Sequence, residues 1–241
     1  MRKMAKENII VACTVVVCVM LTLVLCFAFS ADGLIGVFAK TEIEKSVVWA
    51  IVSGGYGDIS LARSSAQMIK SHGGAGYVKS GDEIEIVYNV YKSEDEAKGV
   101  ISRLGISGVY MAKIEIEECD FKWCDKQYLQ SVESALCYYD IAFECIKKCA
   151  DELVDGSLEI VDAKSKIEVL HSQINDIKCE FYKNTANCDS AQITEIKLAL
   201  ITTLALLDNV EFEDSVALCA SSLRYQLVQL VLCRQALATN I

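Results

Sequence analysis

The chain has 241 residues, and its 33 Asp and Glu against 23 Lys and Arg give a formal net charge of −10. Such an acidic balance argues against a nucleic-acid partner, because DNA and RNA phosphates repel a negatively charged surface. The chain contains no proline, which favours long, uninterrupted helices.

Residues 9–30 are predicted to cross a membrane. The segment contains no charged residue, and about 20 apolar residues suffice for a helix to span a bilayer. Arg2, Lys3 and Lys6 precede it, so the positive-inside rule keeps residues 1–8 in the cytoplasm. We expect a single-pass protein of the cell membrane, with its lipid contacts at this signal-anchor and its remaining domains extracytoplasmic.

Two alternatives for the same segment stay open. Ala28 and Ser30 are small enough for a signal peptidase, which would start the mature chain near Ala31. The run Leu23–Cys26 has some likeness to a lipobox, which would make Cys26 a lipidation site. Both alternatives leave the soluble part on the same side of the membrane.

Residues 46–118, which follow a linker at 31–45, alternate between strand and helix signals. Val47–Val52 is an apolar run before glycines, as in a buried strand, and Asp58 can cap the helix that follows. Ser93 caps a second helix after another strand. The two halves repeat, with Tyr56, Asp58 and Ala62 corresponding to Tyr91, Ser93 and Ala97. Two successive βαβ halves predict a ferredoxin-like βαββαβ sheet with both helices on one face.

This repeat resembles the SPOR (sporulation-related) domain family. The first copy reads Ile51–Tyr56, with Ala62 in the following helix, and the second reads Val87–Tyr91, with Ala97 in its helix. A membrane anchor ahead of the domain is also common in that family. The resemblance covers residues 46–118 and implies noncatalytic binding to peptidoglycan glycan strands, in cell division or sporulation.

The resemblance also implies where the glycan binds, on the sheet face opposite the helices. Strand alternation puts Trp49 and Ile51 towards the helices and Val48, Ala50 and Val52 on the opposite face. That face is strongly apolar, so its burial against the rest of the chain is the alternative to glycan binding. The residues expected there as glycan ligands are Val52, Glu85, Asn89 and Lys113.

Residues 125–241 have a helical period throughout. Short connections predict an antiparallel up-down four-helix bundle, with an intermolecular coiled coil as the alternative. The first three predicted helices contain the apolar series Leu129–Leu153, Ile160–Phe181 and Ile193–Leu207, and the fourth runs from about Glu213 to Ala238.

Twelve cysteines would suggest disulfides in an exported protein, yet three lie in the predicted anchor and an odd number remains. Cys145 and Cys149, one helical turn apart, are interpreted as helix packing. Two interpretations of the other cysteines stay open. They form disulfide bridges, Cys119–Cys124 or Cys179–Cys188, or they are free thiols.

No motif in the chain predicts catalysis. Ser53–Gly57 is rich in glycine but lacks the Gly-Lys-Ser/Thr of a phosphate loop, so it is interpreted as a strand-to-helix turn. His72 and His171 are the only histidines and lie outside metal-ligand spacing. We expect no enzyme activity, metal or cofactor. The alternative to glycan binding is a structural or protein-protein interaction module with the helical bundle as its binding surface.

Overall fold

The computed structural model describes residues 42–81, 83–121 and 126–240. Of these residues 62% are helical and 18% lie in strands, so the chain is of the mixed α+β class. The described residues form one compact unit. The predicted anchor at 9–30 and the tail before it lie outside the described residues.

The elements occur in the order predicted for the sheet region. The strands are β1 Glu42–Ile43, β2 Ser46–Tyr56, β3 Tyr77–Ser80, β4 Ile84–Tyr91, β5 Val109–Ile116 and β6 Cys119–Asp120. The helices are α1 Ile59–Ser71, α2 Glu94–Leu104, α3 Lys126–Leu136, α4 Tyr138–Asp155, α5 Ile160–Asn184, α6 Ala191–Asp208 and α7 Val216–Asn240.

The main sheet has four antiparallel strands in the order β3-β4-β2-β5. A separate two-stranded sheet pairs β1 with β6, with Ile43 opposite Cys119. Residues 42–43 of the predicted linker at 31–45 therefore form a strand, and Ile43 is buried in the core.

Local caps start the two helices that pack on the sheet. The Asp58 carboxylate accepts a hydrogen bond from Ser60 N at 2.7 Å, and Ser93 Oγ accepts one from Glu96 N at 3.4 Å. Gly105 ends α2 in the left-handed conformation, which favours glycine. Both predicted N-caps are confirmed.

Helices α1 and α2 cover one face of the sheet. Ala62 and Ala66 of α1 pack with Ile86 of β4, and Ala97 of α2 packs with Ile51 of β2. Alanine at these positions lets the helix backbones come close to the sheet. The prediction that Trp49 and Ile51 point towards the helices is confirmed.

The opposite face of the sheet is buried by the helical half of the chain. Val48, Ala50 and Val52 are at most 2% exposed and share one continuous core with α4 and α7. Helix α7 crosses the sheet from β3, where the rings of Tyr225 and Tyr77 are 5.4 Å apart, to β5. The alternative that this face is buried against the rest of the chain is therefore confirmed.

The first predicted bundle helix is two helices, α3 and α4, which break at Cys137. No glycine or proline marks the break in the sequence. It arises because α4 packs mainly on α7 and α5, whereas α3 packs on α5 and α6. The described part of residues 125–241 therefore contains five helices where four were predicted.

One helix within the described ranges, Val216–Thr239, is long and apolar enough to cross a membrane. It is C-terminal, whereas the predicted anchor was N-terminal. Half of its most apolar window is buried inside the fold, as in the core helix of a folded domain. The guanidinium of Arg234 also lies 5.1 Å from the Tyr139 ring, and a buried cation of this kind suits a protein core better than lipid.

The cysteines in the described part of the chain are free thiols. Cys179 and Cys188 do not form the bridge considered from the sequence, because α5 continues past Cys179 to Asn184 and leaves that thiol exposed on the helix. Cys119 is also free, and its considered partner Cys124 lies outside the described residues.

Candidate functional site

The residues predicted to bind glycan lie on two different faces of the sheet. Asn89 is directly opposite Ile51, and Lys113 is directly opposite Trp49. Directly opposed residues of antiparallel strands point to the same side, so Asn89 and Lys113 lie on the face covered by α1 and α2. The prediction that they share the other face with Val52 is wrong.

A bulge in β4 explains the position of Asn89. Ile51 pairs with Asn89, but the next residue, Val52, pairs with Val87, so Tyr88 is an extra residue on β4. A bulge of this kind reverses the alternation beyond it. Simple counting from Val87 therefore assigns Asn89 to the wrong face.

Lys113 has a different reason for its position. Strand β5 turns its small and branched side chains, Ala112 and Ile114, towards the large core beneath the sheet. The residue between them must then point the other way, where its Nζ lies 5.1 Å from the centroid of the Trp49 ring. Asn89 and Lys113, predicted as glycan ligands on the opposite face, thus lie on the helix-covered face because of the bulge in β4 and the packing of β5.

Val52 and Glu85 lie on the face towards α7 but differ in access. Val52 is 1% exposed and closed off by the core. Glu85 lies at the open end of the sheet, where its carboxylate accepts hydrogen bonds from Tyr110 Oη at 2.7 Å and Lys79 Nζ at 3.2 Å. The half-buried Glu85 and the exposed Tyr110 and Lys79 form a group that we call the sheet-end cluster.

One short hydrogen bond shifts the pKa values of two residues in the sheet-end cluster. The bond from Tyr110 lowers the pKa of Glu85 and raises the pKa of Tyr110 to about 12. Gly54 makes room for it, since a Cβ there would be 2.9 Å from Tyr110 Oη. The cluster combines an aromatic ring with hydrogen-bonding groups, which is the chemistry that a sugar site needs.

A polar network connects the sheet region to the helical half. Arg224 of α7 donates to Gly73 O at the end of α1, at 2.9 Å, and to the Asp151 carboxylate of α4, at 3.0 Å. Lys147 of α4 pairs with Asp151 at 3.0 Å and with Glu96 of α2 at 2.8 Å. We call these contacts the Arg224 network.

Sequence reasoning missed the Arg224 network. Arg224 and Gly73 are 151 positions apart, and no local pattern marks either as a partner of the other. The only sequence signal is an arginine within a largely apolar helix, a position where a charge needs a specific partner.

The described residues include no group of three or more His, Cys, Asp or Glu that could hold a metal ion. Among the described residues, the thiol pair Cys145 and Cys149 of α4 comes closest to a reactive group. A hydrogen bond from Cys149 lowers the pKa of the half-buried Cys145 to about 7. Two thiols alone do not complete a tetrahedral metal site.

Comparisons with known proteins supply no relative for this chain. No family model matches it, and no match was found to a curated protein or to a solved structure.

Proposed function

We propose that this chain is a noncatalytic, membrane-tethered envelope protein in which a ferredoxin-like sheet carries a helical half that binds a protein partner. The observation behind this proposal is the burial of the sheet face opposite α1 and α2. Because this face of the sheet is part of a core shared with the helices, the sheet supports the helices.

The burial of that face makes its exposure unfavourable. Moving α7 away would expose Val52 and Val87 of the sheet together with Leu227 of the helix, which are all at most 3% exposed. Each Å² of apolar surface returned to water costs roughly 25 cal/mol. Opening the whole face would therefore consume much of the few kcal/mol by which a domain is stable.

The outer surface of the helices offers the apolar area for a partner. Leu198 and Ile201 of α6 are 54% and 47% exposed and lie three positions apart, on one side of the helix. Val161 and Val169 of α5 are also largely exposed. Neighbouring exposed apolar side chains on one helix, such as Leu198 and Ile201, are typical of contacts between proteins.

Photocrosslinking in the cell tests this assignment. A photoreactive amino acid replaces Leu198 or Ile201, and a matched control replaces the exposed Ser64 of α1. We expect discrete protein adducts from the two α6 positions and none from the control. Equal adduct yields at all positions, or no adducts, would contradict the proposal.

The sheet-end cluster favours a second candidate function, the glycan binding implied by the resemblance to SPOR domains. Tyr110 is 42% exposed, and the side chain of its hydrogen-bonded neighbour Glu85 is 18% exposed. In this arrangement the glycan would bind at the end of the sheet, since the centre of the face is closed.

Cosedimentation with amidase-treated peptidoglycan separates the two candidates. The full chain in nanodiscs is mixed with the purified wall, beside a Tyr110→Ala variant and empty nanodiscs. The interaction function predicts that the chain stays in the supernatant. Sedimentation of the parent chain that is lost in Tyr110→Ala would support the glycan function instead.

A further inference from the structure

A cavity of about 380 Å³ lies on the helix-covered face of the sheet. Ile69 of α1 and Val100 and Leu104 of α2 contribute to its walls, and Tyr88 and Asn89 of β4 lie beneath them. Most of this lining is apolar. Binding sites for small molecules usually measure about 300–1,000 Å³ and combine an apolar lining with a few polar groups, so this cavity suits a small ligand.

Asn89 lines the cavity and has an unused, buried hydrogen-bond acceptor. The side chain is only 5% exposed, and its Nδ2 donates to Tyr91 Oη at 2.8 Å. Its Oδ1 has no hydrogen-bond partner. Buried amide oxygens are nearly always paired, so an orphaned oxygen at a cavity points to a donor that comes from a ligand.

Arg224 lines the same cavity and has an unused, buried hydrogen-bond donor. Its two terminal nitrogens are engaged by Gly73 O and Asp151, whereas its buried Nε has no acceptor. The Asp151 carboxylate already neutralises the charge of the guanidinium. A ligand here therefore needs a neutral acceptor rather than a second anion.

We propose that this cavity binds a small neutral molecule with an apolar body and a carboxamide group. The carboxamide N–H donates to Asn89 Oδ1, and its carbonyl oxygen accepts from Arg224 Nε. The apolar body fills the space between Ile69 and Val100. The β4 bulge at Tyr88 has a role in this site, because it places Asn89 on the cavity side of the sheet and not on the closed face. This site is independent of the partner surface on α6 and of the sheet-end cluster.

Ligand-observed fluorine NMR tests the proposal with a defined probe. The full chain in lipid nanodiscs is titrated with para-fluorobenzamide, with para-fluorotoluene as the comparison compound that lacks the amide, and empty nanodiscs correct for partition into lipid. We expect saturable binding of the benzamide, at least about tenfold tighter than that of the toluene, because only the amide can pair with the buried polar atoms.

Two substitutions assign the binding to the cavity. Asn89→Leu should remove the preference for the amide, whereas Val100→Trp should abolish binding of both probes by filling the space. Val161→Trp, the same change on the exposed surface of α5, is the matched control and should leave binding unchanged. Leu104→Trp at the rim serves in the same way if Val100→Trp does not fold.

Three results would overturn the proposal. The first is the absence of saturable binding by the parent chain, as expected if the cavity holds only water. The second is equal affinity for the two probes, and the third is binding that the cavity-filling variants leave intact.

Discussion

The Arg224 network offers a quantitative test of how the sheet and the helical half are joined. Replacing Arg224 with methionine keeps most of the apolar stem but removes the guanidinium. The bond to Gly73 O is lost, and so is the pair with Asp151, while Lys147 still neutralises that carboxylate.

The size of the effect follows from three contributions. A hydrogen bond from a charged donor contributes about 1.5–3 kcal/mol, and a pair with a partly exposed carboxylate such as Asp151 adds about 0.5 kcal/mol. Removal of the unpartnered Nε of Arg224 offsets about 1 kcal/mol of this loss. We therefore expect Arg224→Met to lower the free energy of unfolding by about 1–2.5 kcal/mol.

Urea unfolding followed by circular dichroism measures this change. Arg63→Met, at an exposed position of α1, is the control and should change the free energy of unfolding by less than about 0.5 kcal/mol. Because the sheet and the helices share one core, we expect a single transition for both variants. A loss below about 0.5 kcal/mol in Arg224→Met, or separate transitions for strand and helix signals, would refute the reasoning.

Three further predictions concern other parts of the chain. Cys145, with a pKa of about 7, should be alkylated by iodoacetamide at neutral pH, and Cys149→Ala should slow this reaction at pH 7 by more than about tenfold because it removes the hydrogen bond to the thiolate. Val52→Asp should lower the free energy of unfolding by about 3–5 kcal/mol, measured in urea, because it buries an unpaired charge. The lowered pKa of Glu85 contributes stability that is present above its ordinary value of 4.5 and is lost as the pH falls through the folded value. Tyr110→Phe should therefore reduce the loss of stability between neutral and acidic pH in urea titrations.

Each of these predictions has a matched control and a contradicting outcome. For the thiol, Cys179→Ala leaves α4 unchanged, and equal slowing by both variants would remove the role of Cys149. For the sheet face, Val169→Asp on exposed α5 should be nearly neutral, and similar losses at both positions would mean that the face is not closed. For Glu85, Tyr88→Phe is the comparison, and an unchanged pH dependence in Tyr110→Phe would contradict the hydrogen-bond assignment.

Local features of the sheet region were predictable because they depend on residues close together in sequence. A cap such as Asp58 bonds to a backbone N–H two positions later, and the same logic places Ser93 before α2. The direction of Trp49 and Ile51 also followed from simple alternation within β2. No such local rule reveals the bulge at Tyr88, which exists only as a mismatch between two paired strands.

The candidate sites were predictable only in part. Glu85 was identified as a polar residue of the sheet. Its hydrogen bond with Tyr110, however, joins residues of two strands that are 25 positions apart in the sequence. Asn89 was assigned to the wrong face, and Arg224 was not singled out at all. The break at Cys137 likewise depends on which surfaces α3 and α4 cover.

The sequence by itself determined that residues 46–118 form two strand–helix–strand halves and that the described part of residues 125–241 is mainly helical, because periodicity and capping act over a few residues. Only the tertiary structure decided that α7 closes the apolar face of the sheet and that Arg224 and Asn89 meet at one cavity. Those outcomes depend on how apolar surfaces from distant parts of the chain cover one another, and buried polar groups then pair with whichever partners that packing brings near.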